Sequence, residues 1–277
     1  MDKKQYYFLS GLPRSGSTLL SSLLSQNDKI YAGGNSPVCQ LMWDTQVSVH
    51  TSSYQQIMAN NKLDIAYDLI RNIPDLYYKD VNQNIIVDKC RSWTISENVS
   101  IIKKYITQTP KIIILIRPID EIINSFCDLY SKNDQNYDPE RFLDEWSEPI
   151  MRSYHGIINI INNESTENYL IISYDDIINQ THNVINKIYE FCDWEKFNHT
   201  FDNIITKYVE DDTIYGIKDF HYVRPTISKR NIKNYLSKDI FNRCDELNNF
   251  LINLKMTKMW FIIVIIFIIF GINTSQK

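Results

Sequence analysis

A short stretch near the N-terminus has the residue types and spacing of a phosphate-binding loop. Residues 11–18 match G-x-x-x-x-G-K-[ST], except that Ser17 stands where the lysine is expected. The apolar run 6–9 before it is typical of a strand, and the residues after it predict a helix over 18–26. Successive backbone N–H groups and a helix N-terminus attract an anion. The sequence therefore predicts a phosphate site with Arg14 as its cation.

The missing lysine limits the chemistry of this loop. Nucleoside triphosphatases use that lysine on the β- and γ-phosphates of their nucleotide. With Ser17 in its place, we predict a loop that binds a nucleotide without hydrolysing a triphosphate. The alternative interpretation is a glycine turn before an ordinary helix.

A second candidate phosphate site lies well downstream of the loop. Residues 111–116 form an apolar, β-branched run that is typical of a buried parallel strand. Arg117 follows that strand, and Ser125 comes after seven intervening residues, within a predicted helix. Arginine offers a charged fork and serine a hydroxyl donor, which together suit a phosphate. Taken alone, the two residues are equally consistent with a strand-end ion pair and a polar helix surface.

The two segments together resemble those of sulfotransferases that use 3′-phosphoadenosine-5′-phosphosulfate (PAPS). The stretch GLPRSGSTLL at 11–20 is similar to their 5′-phosphosulfate loop, and closer to the Golgi, tyrosylprotein and bacterial branches than to the cytosolic branch. The resemblance implies that the loop binds the 5′-phosphate, that Arg14 lies near the sulfate, and that Arg117 and Ser125 bind the 3′-phosphate. The donor-binding residues it implies are Gly11, Pro13, Arg14, Ser15, Gly16, Ser17, Thr18, Arg117, Ser125 and Tyr174.

Two further strand ends carry residues that are similar to donor-site positions of this family. Lys89 and Asp88 follow the run 84–87, and the resemblance implies that Lys89 contacts the sulfate region of the donor. The alternative is a charged loop between a strand and a helix. Tyr174 follows the run 169–173, and the resemblance implies that its ring lines the nucleotide site. The alternative is a half-buried core tyrosine.

The reaction that the resemblance implies is in-line transfer of a sulfuryl group from PAPS to a hydroxyl or an amine. Arg14, Lys89 and the loop amides would stabilise the charge that develops on the leaving nucleotide. No metal is expected to take part. The acceptor stays open between a carbohydrate, another small molecule and a protein.

A hydroxyl acceptor also needs a general base, and here the sequence departs from the family. The tyrosylprotein branch has a glutamate where this chain has residues 34–35, Gly-Asn, which argues against a protein tyrosine as acceptor. The histidine base of the cytosolic branch has no counterpart either. We predict Asp88 as the base, with His50 and Glu97 as rivals.

The elements that position these residues follow from the hydrophobic pattern. Apolar runs alternate with helical stretches, which predicts an α/β fold over 1–254: a single domain with a P-loop-like central parallel sheet flanked by helices. Arg14, Lys89, Arg117 and Tyr174 each follow a predicted strand, at the edge where such sheets bind ligands. The predicted helices are 18–26, 55–72, 94–106 (opened by a capping box, Thr94 and Glu97), 118–131, 139–162, 181–192 and 238–254.

Two stretches lack a regular pattern. Residues 32–54 and 205–235 are expected to form loops that build the acceptor pocket. Within the second, 226–231 resembles the basic segment that closes over the donor in this family; the alternative is a solvated basic turn.

Composition excludes several other classes. The chain has 277 residues, 29 Lys and Arg against 33 Asp and Glu, and a net charge of −4, which argues against a general nucleic-acid binder. Its five cysteines form no C-x-x-C pair and are expected to be reduced core thiols. Its five histidines show no metal-binding spacing.

The C-terminal tail, residues 255–277, changes character abruptly. Residues 259–272 are apolar and free of charge, although a helical span usually needs about 20 residues. We predict a short membrane anchor, with a hydrophobic element packed on the domain or an irregular extension as alternatives. Met1 leads directly into the first strand without a secretory signal, so the catalytic domain is expected to face the cytoplasm.

Two other functions compete with sulfuryl transfer. One is a P-loop kinase acting on a small molecule, which Ser17 and the lack of a clear magnesium-binding aspartate directly after an apolar strand disfavour. The other is a protein that binds a nucleotide without catalysis, which the uncertain base leaves open.

Overall fold

A five-stranded, wholly parallel sheet forms the centre of the computed structural model. The structure describes residues 3–135, 137–144 and 148–273, with the side chains of the last helix described up to 257. The strand order is β2-β3-β1-β4-β5, so the chain winds outward in both directions from β1. The strands are β1 Gln5–Gly11, β2 Ile30–Asn35, β3 Ile85–Lys89, β4 Ile112–Ile116 and β5 Tyr169–Ser173.

Helices cover both faces of this sheet. Side chains alternate between the two faces of a strand, so β4 sends Ile112 and Ile114 into one apolar core and Ile113 and Leu115 into the other. Burial on both faces explains why this strand is an unbroken apolar run. The helices are α1 Ser17–Leu24, α2 Val38–His50, α3 Tyr54–Ala59, α4 Leu63–Tyr77, α5 Ser96–Ile101, α6 Ile119–Lys132, α7 Met151–Asn163, α8 Tyr174–Asn179, α9 Thr181–Cys192 and α10 Lys238–Asn273.

The two helical layers are unequal. α1, α8 and α9 pack against the face that carries Leu9 and Ile113. α2, α4, α5, α6, α7 and α10 supply the larger core on the opposite face. The predicted α/β class, with one parallel sheet between helices, is therefore confirmed.

Several boundaries differ from the sequence prediction. The stretch 32–54, which was predicted to be irregular, contains most of β2 and all of α2. The sequence analysis missed both elements because the pair Gly33-Gly34 and Pro37 are typical of loops. The predicted helix 139–162 starts too early: a 3₁₀ turn spans Pro139–Leu143, and α7 begins only at Met151. Pro149 lacks an N–H group and disfavours helical backbone before it, which explains the late start.

Two predicted helices are also interrupted. The pattern over 55–72 is two helices, α3 and α4, separated by a turn in which Asn61 has a left-handed φ of 53°. The capping box at Thr94 and Glu97 does not form, because Thr94 Oγ1 donates to the carbonyl of Arg91 at 3.4 Å instead. α5 is continued by a π-helical turn, Ile102–Ile106.

The last helix, α10, runs on through the apolar tail. Its first half is part of the domain, because Ile240, Cys244 and Leu251 are buried in the larger core. The segment predicted as a membrane anchor, 259–272, is helical, but its side chains lie outside the described residues. Among the residues that the structure describes in full, no helix has the length and apolarity that crossing a membrane requires.

Candidate active site

The loop after β1 has the backbone geometry of an anion cradle. Gly11 has a φ of 132°, and a Cβ there would lie 2.1 Å from the Leu115 carbonyl oxygen, so only glycine fits between β1 and β4. Gly16, with a φ of 92°, precedes α1 without a capping side chain. The first turn of α1 contains no acidic residue. Its N–H groups and the helix dipole are therefore available to an anion.

Arg14 lies at the centre of the loop. Its φ of 55° is left-handed, and its side chain donates from Nε to Ser125 Oγ at 3.2 Å and from Nη1 to the Phe220 carbonyl at 2.6 Å. Burial, followed by the charges of Arg230 and Arg117, lowers the pKa of Arg14 to about 10. The lowered pKa reflects the burial of Arg14 first and the nearby positive charges second, and a bound anion would oppose both effects.

Arg117 reaches the same place from the end of β4. It is only 7% exposed, and its Nη1 donates to the Arg14 carbonyl at 2.9 Å. Its Nε contacts Glu121 Oε2 at 3.0 Å, and its guanidinium stacks 4.1 Å from the ring centre of Tyr174. The structure thus brings together Arg14, Arg117, Ser125 and Tyr174 from four separate segments.

These residues border a cavity of about 300 Å³, called here the basic cavity. The segment 226–231 borders it through Thr226, Ile227, Ser228 and Arg230. Among the described residues, six cations and no carboxylates line it, although the whole chain carries a net charge of −4. The six cations are Arg14, Lys89, Arg91, Arg117, Arg224 and Arg230.

A second cavity of about 320 Å³, called here the hydroxyl-lined cavity, adjoins the first. Its walls come from α1, from 32–34 and from 206–223. The last two belong to the stretches predicted to build an acceptor pocket. The residues that line both cavities are Thr18, Lys89, His221, Tyr222 and Val223.

Lys89 is held at this junction by an ion pair. Its ammonium, in a residue that is 3% exposed, contacts Glu210 Oε2 at 3.1 Å. Burial lowers the pKa of Lys89, against the opposing effect of Glu210. Burial alone would raise the pKa of Glu210, but Lys89 and the Asn35 amide outweigh it, so its pKa is lowered. The pair keeps one positive charge oriented at the end of β3.

Asp88 does not lie in either cavity, which corrects its prediction as the base. It is 1% exposed and accepts hydrogen bonds from Ser36 Oγ at 2.6 Å, Tyr78 OH at 2.7 Å and Trp93 Nε1 at 2.6 Å. Burial raises the pKa of Asp88, and these three donors oppose the rise. Asp88 therefore anchors the segments around β3 and has no face open to a substrate.

The two rival bases are also elsewhere. His50, the last residue of α2, lies against Tyr67 with ring centres 5.8 Å apart. Glu97 accepts a hydrogen bond from Ser96 at 2.7 Å on α5. Neither residue lines the basic cavity or the hydroxyl-lined cavity.

The sequence analysis missed a histidine that does lie at the junction. His221 Nδ1 is 2.7 Å from Asp212 Oδ1, and the His221 backbone N–H donates to Asp212 Oδ2 at 2.9 Å. Its Nε2 is 3.2 Å from Asn35 Nδ2 and 3.7 Å from Glu210 Oε2. With the Nδ1 proton on the Asp212 side, Nε2 is left as a hydrogen-bond acceptor. No motif or spacing marks His221 in the sequence, since it lies in the irregular stretch 205–235.

The described residues contain no group of three or more His, Cys, Asp or Glu side chains that could hold a metal ion. The five cysteines are all free thiols, four of them buried. Cys39 and Cys244 pack in the larger core and Cys192 in the smaller one.

Three solved structures with a similar fold are distant from this chain in sequence. A sulfotransferase domain from the curacin biosynthetic pathway matches with a TM-score of 0.54 at 16% identity, over 90% of this chain and 98% of that one. The sulfotransferase domain of the Synechococcus PCC 7002 olefin synthase matches with a TM-score of 0.53 at 18% identity, over 90% and 96%. A mouse sulfotransferase in complex with PAP matches with a TM-score of 0.54 at 12% identity, over 89% and 82%.

These structural similarities show the fold alone, whereas a match to a sequence family shows the family. No curated protein matches the chain in sequence. The profile of the sulfotransferase family, however, matches residues 7–199, from β1 to just beyond α9. That range includes the loop 11–18, Lys89, Arg117 and Tyr174. The chain belongs to the sulfotransferase family.

Proposed function

We propose that this protein transfers a sulfuryl group from PAPS to an acceptor hydroxyl or amine. The observation that carries the proposal is the basic cavity, whose six cations and lack of carboxylates among the described residues suit a donor with several negative charges. ATP hydrolysis is disfavoured, because Ser17 replaces the lysine that triphosphatases need.

Each part of the donor has a counterpart in the cavity. The N-terminus of α1 and the loop amides suit the 5′-phosphate. Arg117 and Ser125, at the end of β4 and within α6, suit the 3′-phosphate. Arg14 belongs to the loop itself, and its Nε donates to Ser125 Oγ at 3.2 Å. In this proposal Arg14 serves the sulfate region of the donor.

The junction of the cavities supplies the groups for transfer. Lys89 and Arg14 stabilise the charge that appears on the bridging oxygen as the S–O bond of the donor breaks. His221 Nε2 takes the proton of the acceptor hydroxyl as its oxygen bonds to sulfur, and 3′-phosphoadenosine-5′-phosphate (PAP) leaves. Asp212 holds the histidine in the required tautomer and stabilises the imidazolium that forms.

Two experiments test this function, calorimetry first and a transfer assay second. We expect PAP to bind at least tenfold more tightly than ATP with magnesium, and labelled sulfate to move from PAPS to an acceptor. Tighter binding of ATP, or hydrolysis of it, would favour the P-loop kinase. PAP binding with no transfer to any acceptor would favour a non-catalytic nucleotide-binding protein.

We also propose that residues 259–272 anchor the chain to a membrane. Their composition supports the proposal, because a charge-free apolar helix gains free energy in lipid. The full chain is expected to sediment with membranes and to resist alkaline carbonate, whereas a chain ending at Leu254 stays in the supernatant and keeps its affinity for PAP. Unfolding of the shortened chain would instead show that the tail belongs to the core.

A further inference from the structure

One wall of the hydroxyl-lined cavity is formed by one face of α1 and the residue that follows this helix. Residues 18, 21, 22 and 25 follow the i, i+3, i+4, i+7 spacing of a single helical face, and all four of these hydroxyl-bearing residues line the cavity. Thr206, in the segment 206–223, adds another hydroxyl beside this face, with its Oγ1 at 3.2 Å from Ser22 Oγ. Such a wall offers donors and acceptors to a ligand that carries several hydroxyl groups.

One of these hydroxyls has no partner. Ser21 is 4% exposed, and its Oγ makes no hydrogen bond to any described residue. The hydroxyls of two neighbouring serines are paired within the helix. Ser22 Oγ donates to the Thr18 carbonyl at 2.9 Å, and Ser25 Oγ donates to the Ser22 carbonyl at 3.1 Å. Buried polar groups are nearly always paired, so an unpaired hydroxyl in a cavity wall favours a polar occupant over an apolar one.

The charges of this cavity select against an anion. Two lysines and three carboxylates line it, the reverse of the balance in the basic cavity. Lys89 is paired with Glu210 at 3.1 Å, and Lys207 is paired with Asp28 at 2.8 Å. Asp219, at the exposed rim, has no ion-pair partner among the described residues. A neutral or cationic molecule would meet no unfavourable charge here, whereas a carboxylate would face Asp219.

Size and shape narrow the ligand further. A volume of about 320 Å³ lies at the low end of the roughly 300–1,000 Å³ that is typical of small-molecule sites. The rings of Tyr208 and Tyr222 provide an apolar surface for the C–H face of a ligand. A molecule that reaches the junction brings one hydroxyl to His221 and Lys89, which border both cavities.

We propose that the hydroxyl-lined cavity binds the acceptor, and that the acceptor is a small, neutral or cationic polyhydroxy compound of the sugar or amino-sugar class. This inference rests on the proposed sulfuryl transfer. The sugar hydroxyl forms a new O–S bond, its proton passes to His221, and PAP leaves with the electrons of the broken S–O bond.

A matched set of acceptors tests the class. With labelled PAPS, we expect transfer to D-glucose or D-glucosamine, or to another member of a panel of neutral and amino mono- and disaccharides. For D-glucuronate, which differs from D-glucose by a carboxylate, and for the apolar 2-naphthol, kcat/KM should be at least tenfold lower. Preference for 2-naphthol, or no transfer to any sugar by a protein that binds PAP, would overturn the proposal. Failure to bind PAP would instead overturn the proposed function on which it rests.

Two variants locate the acceptor. Ser21→Leu removes the unpaired hydroxyl and fills the cavity, so KM for the sugar should rise at least tenfold while the Kd for PAP changes less than twofold. Asp219→Lys, at the exposed rim, should narrow or reverse the preference for D-glucose over D-glucuronate. Ser100→Ala, an exposed helix serine outside both cavities, is the control. An unchanged sugar KM in Ser21→Leu together with an unchanged charge preference in Asp219→Lys would overturn the assignment of this cavity.

Discussion

Replacement of His221 by glutamine is expected to lower kcat for sulfuryl transfer by about 10²–10⁴-fold, the usual contribution of a general base. Glutamine keeps the size and polarity of the side chain but cannot take the acceptor proton. The Kd for PAP should change less than twofold from the wild-type value. His221 lies at the junction of the two cavities, and its side-chain partners, Asp212 and Asn35, are not among the residues assigned to the donor phosphates. Single-turnover assays and calorimetry on the same preparation measure the two quantities.

Two comparisons separate a chemical role of His221 from a structural one. Asp212→Asn should lower kcat in the same direction but less, because Asp212 acts through the histidine. His182→Gln, which changes an exposed histidine on α9 beside Asn186 and Phe201, is the matched control. A His221→Gln variant that keeps the wild-type rate would show that the base lies elsewhere.

Replacement of Arg117 by alanine is expected to weaken PAP binding by about 10–100-fold. The loss of a charged hydrogen bond to a phosphate costs about 1.5–3 kcal/mol. Adenosine 5′-phosphosulfate lacks the 3′-phosphate, so its affinity should fall much less. Calorimetry with both ligands measures the difference, which is independent of any general loosening of the loop.

The control variants for this prediction use groups of the same type. Arg71→Ala removes an exposed arginine that pairs with Asp68 on α4, far from the basic cavity, and should leave both affinities unchanged. Ser125→Ala should weaken PAP binding in the same direction as Arg117→Ala but less, because its hydroxyl is uncharged. Equal losses for PAP and adenosine 5′-phosphosulfate in Arg117→Ala would remove the 3′-phosphate assignment.

Part of this site is readable from local sequence, because it depends on backbone geometry and on strand ends. Gly11 and Gly16 mark positions with φ of 132° and 92°, where a side chain would be strained, so their spacing identifies the loop. Arg14, Arg117 and Tyr174 each follow an apolar strand. Because parallel strands end at a common edge, the alternation of strands and helices was enough to predict that these residues meet.

Other parts depend on contacts between distant segments and have no local signal. Glu210 reaches Lys89 and Asn35 across more than a hundred residues, from a stretch with no periodic pattern. His221 is adjacent to Asp212 only because the chain turns back on itself between them. The sequence analysis could therefore name the loops around the acceptor but not the histidine within them.

Asp88 is a second example of a residue whose surroundings the local sequence does not reveal. By position it follows β-branched residues at a strand end, as Lys89 does, and the two are neighbours in sequence. Side chains alternate along a strand, so Lys89 extends to the cavities while Asp88 is buried with Ser36, Tyr78 and Trp93. The sequence by itself determined the α/β fold, the position of the glycine loop and the family. Only the tertiary structure decided which carboxylate is buried and which histidine lies at the junction of the two cavities, because burial and proximity depend on neighbours that the fold brings together.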